Sequence, residues 1–211
     1  MCLAYGDGGP DADRMPETIN FDLATAAGSR AVIVVEGMSD RVALETLAER
    51  RGIAPRAQGI SIVHLDGATN IGRFLELFGP RGLDVRLAGL CDAAEEGYFR
   101  RALERAGVGS PLSRADMEAL GFYVCGADLE EELIRALGVA AVERVIRAQG
   151  EIRSLRIFQQ MPAWHGESPE RQLHRFMGTR SGGKSLYARL MVSALDLTQV
   201  PRPLDRVLDH L

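Results

Sequence analysis

The stretch Ala31-Val32-Ile33-Val34-Val35-Glu36-Gly37-Met38-Ser39-Asp40 decides how the rest of the chain is read. Its five apolar residues, three of them Val and one Ile, predict a strand buried on both faces. Glu36 follows at once, and Gly37 lets the backbone turn sharply where a Cβ would clash. Ser39 is expected to cap the next helix, with Asp40 in its first turn, where the helix dipole favours negative charge. Glu36 therefore stands at the carboxyl end of a strand with Asp40 close by, on the edge where open α/β sheets bind ligands.

The same grammar repeats outward. Apolar runs at 60–65, 85–91 and 122–125 predict three more strands, each followed by a helical pattern: 39–51 after the first strand, then 70–78, 94–106 and 128–138. The order βαβαβαβα argues for a parallel sheet with right-handed crossovers. Beyond residue 138 the pattern changes to helices only, at 139–149, 151–160, 169–177, 185–195 and 201–211. The expected organisation is an N-terminal arm over 1–29, with some order near Ile19 to Leu23, an α/β core over 30–138 and a helical C-terminal extension over 139–211.

Composition narrows the classes. The hydrophobic content of 46% supports a real core, and no apolar run approaches the roughly 20 residues that span a membrane. The N-terminal residues lack the basic start and apolar core of a secretory signal. Cys2, Cys91 and Cys125 have no CxxC spacing, and two lie in apolar runs, so they read as reduced packing residues of a cytoplasmic protein. Residues 141–211 hold 11 of the 25 Lys+Arg and 7 of the 29 Asp+Glu, leaving 14 bases and 22 acids in the first 140. An acidic first part beside a basic second part suits a metal-collecting edge next to a phosphate-contacting surface. Lys184 is the only lysine in the chain, and Lys can do proton and point-charge chemistry that Arg does poorly.

Each predicted strand ends in acid: Glu36, Asp66, Asp92, and Asp128 with Glu130. A parallel sheet puts all its carboxyl ends on one edge, and carboxylates gathered there repel unless a cation sits among them. Mg²⁺ and similar hard cations take oxygen ligands. Asp66-Gly67 fits least well, being an ordinary turn pair.

Val34-Val35-Glu36-Gly37-x-x-Asp40, then Leu90-Cys91-Asp92-Ala93-Ala94-Glu95, then Ala127-Asp128-Leu129-Glu130 resemble a Toprim domain, the divalent-metal fold of topoisomerases, primases and OLD-family (overcoming lysogenization defect) nucleases. The order of Glu-Gly-x-x-Asp, Asp-Leu-Glu before a helix and a Gly-rich segment with Lys is most similar to the OLD type, over about residues 30–195. The resemblance implies a Toprim-like, Rossmann-like four-stranded parallel sheet flanked by helices. It further implies two Mg²⁺ or Mn²⁺ ions held by Glu36, Asp40, Asp92, Asp128 and Glu130, with Glu36 and Lys184 in catalytic roles, Lys184 as base or charge stabiliser. Two departures stand out. Ala94 occupies the place of the second acid of an Asp-x-Asp pair, with Glu95 and Glu96 as neighbouring substitutes. OLD nucleases also carry an ATPase domain before the Toprim; here the expectation is a protein that acts alone or with an ATPase chain.

Gly178-Thr179-Arg180-Ser181-Gly182-Gly183-Lys184-Ser185 matches the phosphate-loop pattern GxxxxGK[ST], but the charged helical segment before it is not the buried strand such a loop needs. A Gly-rich loop that lets Lys184 approach a phosphodiester is the better reading. His64, His165, His174 and His210 are scattered, with no zinc-ligand spacing, and His64 reads as a packed core residue. Arg144, Arg147, Arg153, Arg156, Arg175 and Arg180 are expected to position a nucleic-acid backbone. The expected function is a metal-dependent phosphodiester hydrolase, a DNA endonuclease or nicking activity. The alternatives are a degenerate Toprim module that binds nucleotide or nucleic acid as a subunit, and a nucleotidyl transferase.

Overall fold

A computed structural model describes residues 25–179 and 181–210. The ordered stretch predicted near Ile19 to Leu23 lies outside them, as does Arg180. Strand β1 (Ala31–Val35) runs through the middle of the sheet and is buried along its whole length. It pairs in parallel with β2 (Ile60–His64) on one side and β3 (Arg86–Cys91) on the other, and β3 pairs with β4 (Phe122–Val124), giving the order β2-β1-β3-β4. This is the four-stranded parallel α/β sheet expected from the sequence.

The crossovers are α1 (Met38–Arg50), α2 (Ile71–Phe78) and α3 (Glu96–Ala106), with a short α4 (Arg114–Ala119) leading into β4. The second half comprises α5 (Leu129–Leu137), α6 (Val139–Ala148), α7 (Ile152–Gln159), α8 (Pro169–Met177), α9 (Gly183–Ala194) and α10 (Arg202–Asp209). One expectation needs correction. Helix α1 begins at Met38, with Gly37 as its N-cap, so Ser39 lies inside the first turn and does not cap. The Asp40 carboxylate reaches back instead and accepts the Gly37 N–H at 2.9 Å, satisfying one of the donors that a helix start leaves open.

Alternation along β1 sends its side chains to two cores. Val32 and Val34 join Phe74, Phe99, Leu103 and Phe122 under α2, α3 and α4. Ala31, Ile33 and Val35 join Leu44 and Leu47 of α1 on the other face. That second core continues through Leu133, Val142, Leu155, Leu173, Met191 and Leu204, all fully buried. The helical extension and the sheet thus share one core, and residue 138 does not mark a break in packing. Residues 25–29, expected in the arm, are also tied to the body: Ala26 is buried, and the Ser29 and Ser61 hydroxyls lie 2.7 Å apart. At Gly89 the sheet leaves no room for a side chain, since a Cβ would sit 2.5 Å from the Phe122 ring.

Candidate metal centre

The loops leaving the strands are laced together along one edge. Leu65 N–H donates to the Val35 carbonyl at 3.0 Å, Ala93 N–H to Ala127 at 2.9 Å, and Cys125 N–H to Cys91 at 2.9 Å. Gly67 N–H reaches the Glu36 carbonyl at 3.3 Å. Parallel pairing brings the chain positions after β1, β3 and β4 side by side, which is why acids spread over almost a hundred residues of sequence can meet.

Glu36, Asp40, Asp92, Asp128 and Glu130 do converge. Burial, together with Asp40, Glu36, Asp128 and Glu130, pushes the Asp92 carboxyl up to about 8. Burial pushes Asp40 up to about 7, offset by the Gly37 N–H and reinforced by Glu130 and Glu36. Glu36 is raised by burial and then by Glu95, against the lowering effect of Lys184. Each of these acids is destabilised by its neighbours. Among the described residues, Glu36 Oε2 and Glu130 Oε1 are buried with no hydrogen-bond partner. A buried acceptor without a donor is costly, and hard divalent cations take such oxygens as ligands. The donor set therefore fits Mg²⁺ or Mn²⁺.

Asp66 stays apart from this group. Its backbone takes a left-handed φ of 52°, and its carboxylate meets His64 Nε2 at 3.2 Å. His64 is buried, as expected of a packed core residue. Ala94 is exposed in the turn before α3. Glu96 is committed to Arg114 and to Arg100, the latter at 3.7 Å, whereas Glu95 is the first carboxylate to act on Glu36.

Helix α5 is set against the edge by two acids. Asp128 caps it, with Oδ1 accepting the Glu131 N–H at 2.8 Å. Buried Glu132 accepts the Gly126 N–H at 2.8 Å and pairs with Arg135, holding the β4–α5 loop. From the helical extension, Lys184 at the start of α9 reaches Glu130 Oε2 at 3.3 Å. Burial works against the Lys184 charge, but Glu130, Asp128 and Asp92 outweigh it and hold the ammonium above its ordinary pKa. That makes Lys184 a resident cation here. The helix before its loop is α8, so the phosphate-loop pattern has no preceding strand, as the sequence indicated.

His174 on α8 is the residue that sequence reasoning missed. Its Nε2 lies 2.6 Å from Asp128 Oδ2, and Asp128, Glu130 and His174 offer ligand atoms all within 4.8 Å of one another. Burial disfavours the Asp128 anion, but the His174 and Glu131 hydrogen bonds more than compensate and leave its pKa lowered. The hydrogen bond to Asp128 likewise raises His174. Nothing local announces this pair, which spans 46 residues of sequence. Of the arginines expected to meet a nucleic-acid backbone, Arg156 is engaged by Glu143 at 2.6 and 2.7 Å, while Arg144, Arg147, Arg153 and Arg175 are exposed. Cys91 and Cys125 are free and buried, and burial pushes both thiols up, which suits packing residues. Among the described residues, no helix is long and apolar enough to cross a membrane.

Residues 29–93 match the family described as Overcoming lysogenization defect protein-like, TOPRIM domain. The fold is similar to solved C-terminal regions of OLD proteins. That of Xanthomonas campestris pv. campestris superposes with a TM-score of 0.66 at 25% identity, covering 86% of this chain and 94% of the other. That of Burkholderia pseudomallei does so with a TM-score of 0.66 at 24% identity, covering 86% and 96%. No curated protein sequence matches the chain.

Proposed function

We propose, from the premise that this chain carries an OLD-like Toprim domain, that it is a divalent-metal-dependent phosphodiester hydrolase acting on DNA as an endonuclease or nicking activity. The observation that carries this reading is the convergence of five acids on one sheet edge with two buried, unpartnered carboxylate oxygens and a lysine beside them. When bound there, Mg²⁺ or Mn²⁺ would activate water and offset charge on the phosphoryl oxygens. Glu36, Asp40, Asp92, Asp128 and Glu130 would hold the cations, and Glu95 would supply the carboxylate that Ala94 does not.

The chain's own residues do the rest. The Gly37 N–H fixes Asp40, and His174 fixes Asp128, so both point at the edge before any substrate arrives. Lys184, a cation on an exposed side chain behind Gly182 and Gly183, would meet the charge that builds on the phosphate during displacement, a role its half-exposed ammonium beside Glu130 supports. Exposed arginines on the helical side attract the DNA backbone without reading its sequence.

Plasmid nicking in Mg²⁺ or Mn²⁺ tests the proposal. Glu36→Gln is expected to abolish cleavage. Glu95→Gln is expected to raise the metal concentration needed, and Glu96→Gln to leave it unchanged. Equal nicking by wild type and Glu36→Gln would rule the catalytic reading out. Ala94 favours a second reading, a nucleic-acid-binding module without cleavage. It predicts a wild type that binds DNA and does not cut it in either metal.

A further inference from the structure

Next to the acidic edge lies a cavity of about 780 Å³ between α5, α8 and the loop that carries Trp164. That volume falls within the roughly 300–1,000 Å³ of small-molecule pockets. Asp128 and His174 belong to its wall as well as to the candidate metal centre, so the two sites are continuous.

The cavity combines three chemistries. Ile134, Val139 and Trp164 supply an apolar and aromatic surface. The indole is held in place: it stacks on Phe158 at 5.3 Å between centroids, and the Trp164 carbonyl accepts from the buried Gln172 side chain at 2.8 Å. Guanidinium groups form the second component. Arg135 pairs with Glu132 and Arg171 with Glu167 at 2.8 Å, but Arg175 has no ion-pair partner among the described residues. Glu131 and Glu170 are the third, and they argue against a plain polyanion site. A nucleotide offers a counterpart to each: a π-face, a phosphate, and base-edge amino groups that carboxylates accept from.

We infer that this cavity holds one unstacked nucleotide of single-stranded nucleic acid, its base against Trp164 and its phosphate at Arg175, next to the phosphodiester at the acidic edge. The inference rests on the hydrolase reading for its substrate class and adds that a base must leave the stack to occupy the site. It implies a preference for single-stranded, frayed or nicked DNA over intact duplex.

Trp164 is the only tryptophan in the chain, so its emission reports on this cavity alone. The full chain is titrated in EDTA, where no cutting occurs, with a short single-stranded oligonucleotide of mixed sequence. Saturable quenching is expected. The same sequence as a blunt duplex should leave the emission nearly unchanged. The double variant Arg171→Ala/Arg175→Ala, altered only at exposed positions, should weaken binding by roughly tenfold or more. Unchanged emission while anisotropy shows the oligonucleotide bound would overturn the inference, as would full affinity in the double variant. Equal quenching by polyglutamate would overturn it in favour of an acidic protein ligand. Nicking abolished by Glu36→Gln with a silent Trp164 would remove the cavity and leave the hydrolase. Quenching without nicking would do the reverse.

Discussion

Asp92 shows in one residue what the acidic edge costs the fold. Its ordinary pKa is 3.8, and in the folded chain burial and four neighbouring carboxylates push it up to about 8. Between those values the folded protein binds more protons than the unfolded one, so stability is full below the lower value and is lost as pH rises through the upper one. Asp40, pushed up to about 7, acts in the same direction. In EDTA the unfolding midpoint is therefore expected to fall by several degrees between about pH 5 and about pH 8. Saturating Mn²⁺ should remove that slope, because a cation neutralises the same carboxylates. Asp92→Asn should flatten it without metal. A metal-free midpoint that rises over the interval would contradict the account. Glu36, Asp92, Asp128 and Glu130 were legible in the sequence as acids that follow strands in a parallel pattern, and Asp40 as an acid in the first helical turn after Glu36, but the same pattern also offered Asp66, and only the resemblance to Toprim domains singled out the five. His174 was not. It is a single histidine on an amphipathic helix, and only tertiary folding brings it 2.6 Å from Asp128.

At the scale of elements, helix α5 is where structure and chemistry share a residue. Asp128 caps the helix through one carboxylate oxygen and offers the other to His174 and the candidate metal centre. The two roles separate by substitution. Asn caps about as well as Asp, whereas Ala loses about 1 kcal/mol. For a domain of this size Asp128→Ala should lower the midpoint by roughly 2–4 °C, and Asp128→Asn should hardly move it. Both should shrink the upward shift that Mn²⁺ produces. Calorimetric scans with and without metal read both effects, and an undiminished Mn²⁺ shift in Asp128→Asn would remove Asp128 from the ligand set. Helix α1 makes a similar point about boundaries. Ser39 looked like the cap because Ser is a common one, yet Asp40 already satisfies the Gly37 N–H, so the helix starts one residue earlier.

Across the whole molecule, the extension completes the core as well as the site. Leu44 and Leu47 of α1 pack in one cluster with Met191 of α9 and Leu204 of α10, and Arg51 is paired with Asp205 of α10. A chain ending at Leu137 would uncover this face of the sheet and remove Lys184 and His174 together. It is expected to lose the near-ultraviolet circular dichroism and the cooperative thermal transition of the full chain. A truncated chain with a sharp transition would show that the α/β half stands alone.

The sequence by itself determined the strand–helix alternation, the parallel sheet and the acids at its edge, because hydrophobic period and turn chemistry act over a few residues. Tertiary structure decided what depends on contacts between distant segments. It showed that the helices after residue 138 share the sheet's core, that the charge of Glu95 bears on Glu36 while Glu96 is held by arginines, and that His174 supports Asp128. It also set Lys184 against Glu130, although its loop matches a phosphate-binding pattern. Local sequence specifies which groups are available; only the packed chain sets the distances between them, and both charge and metal chemistry depend on distance.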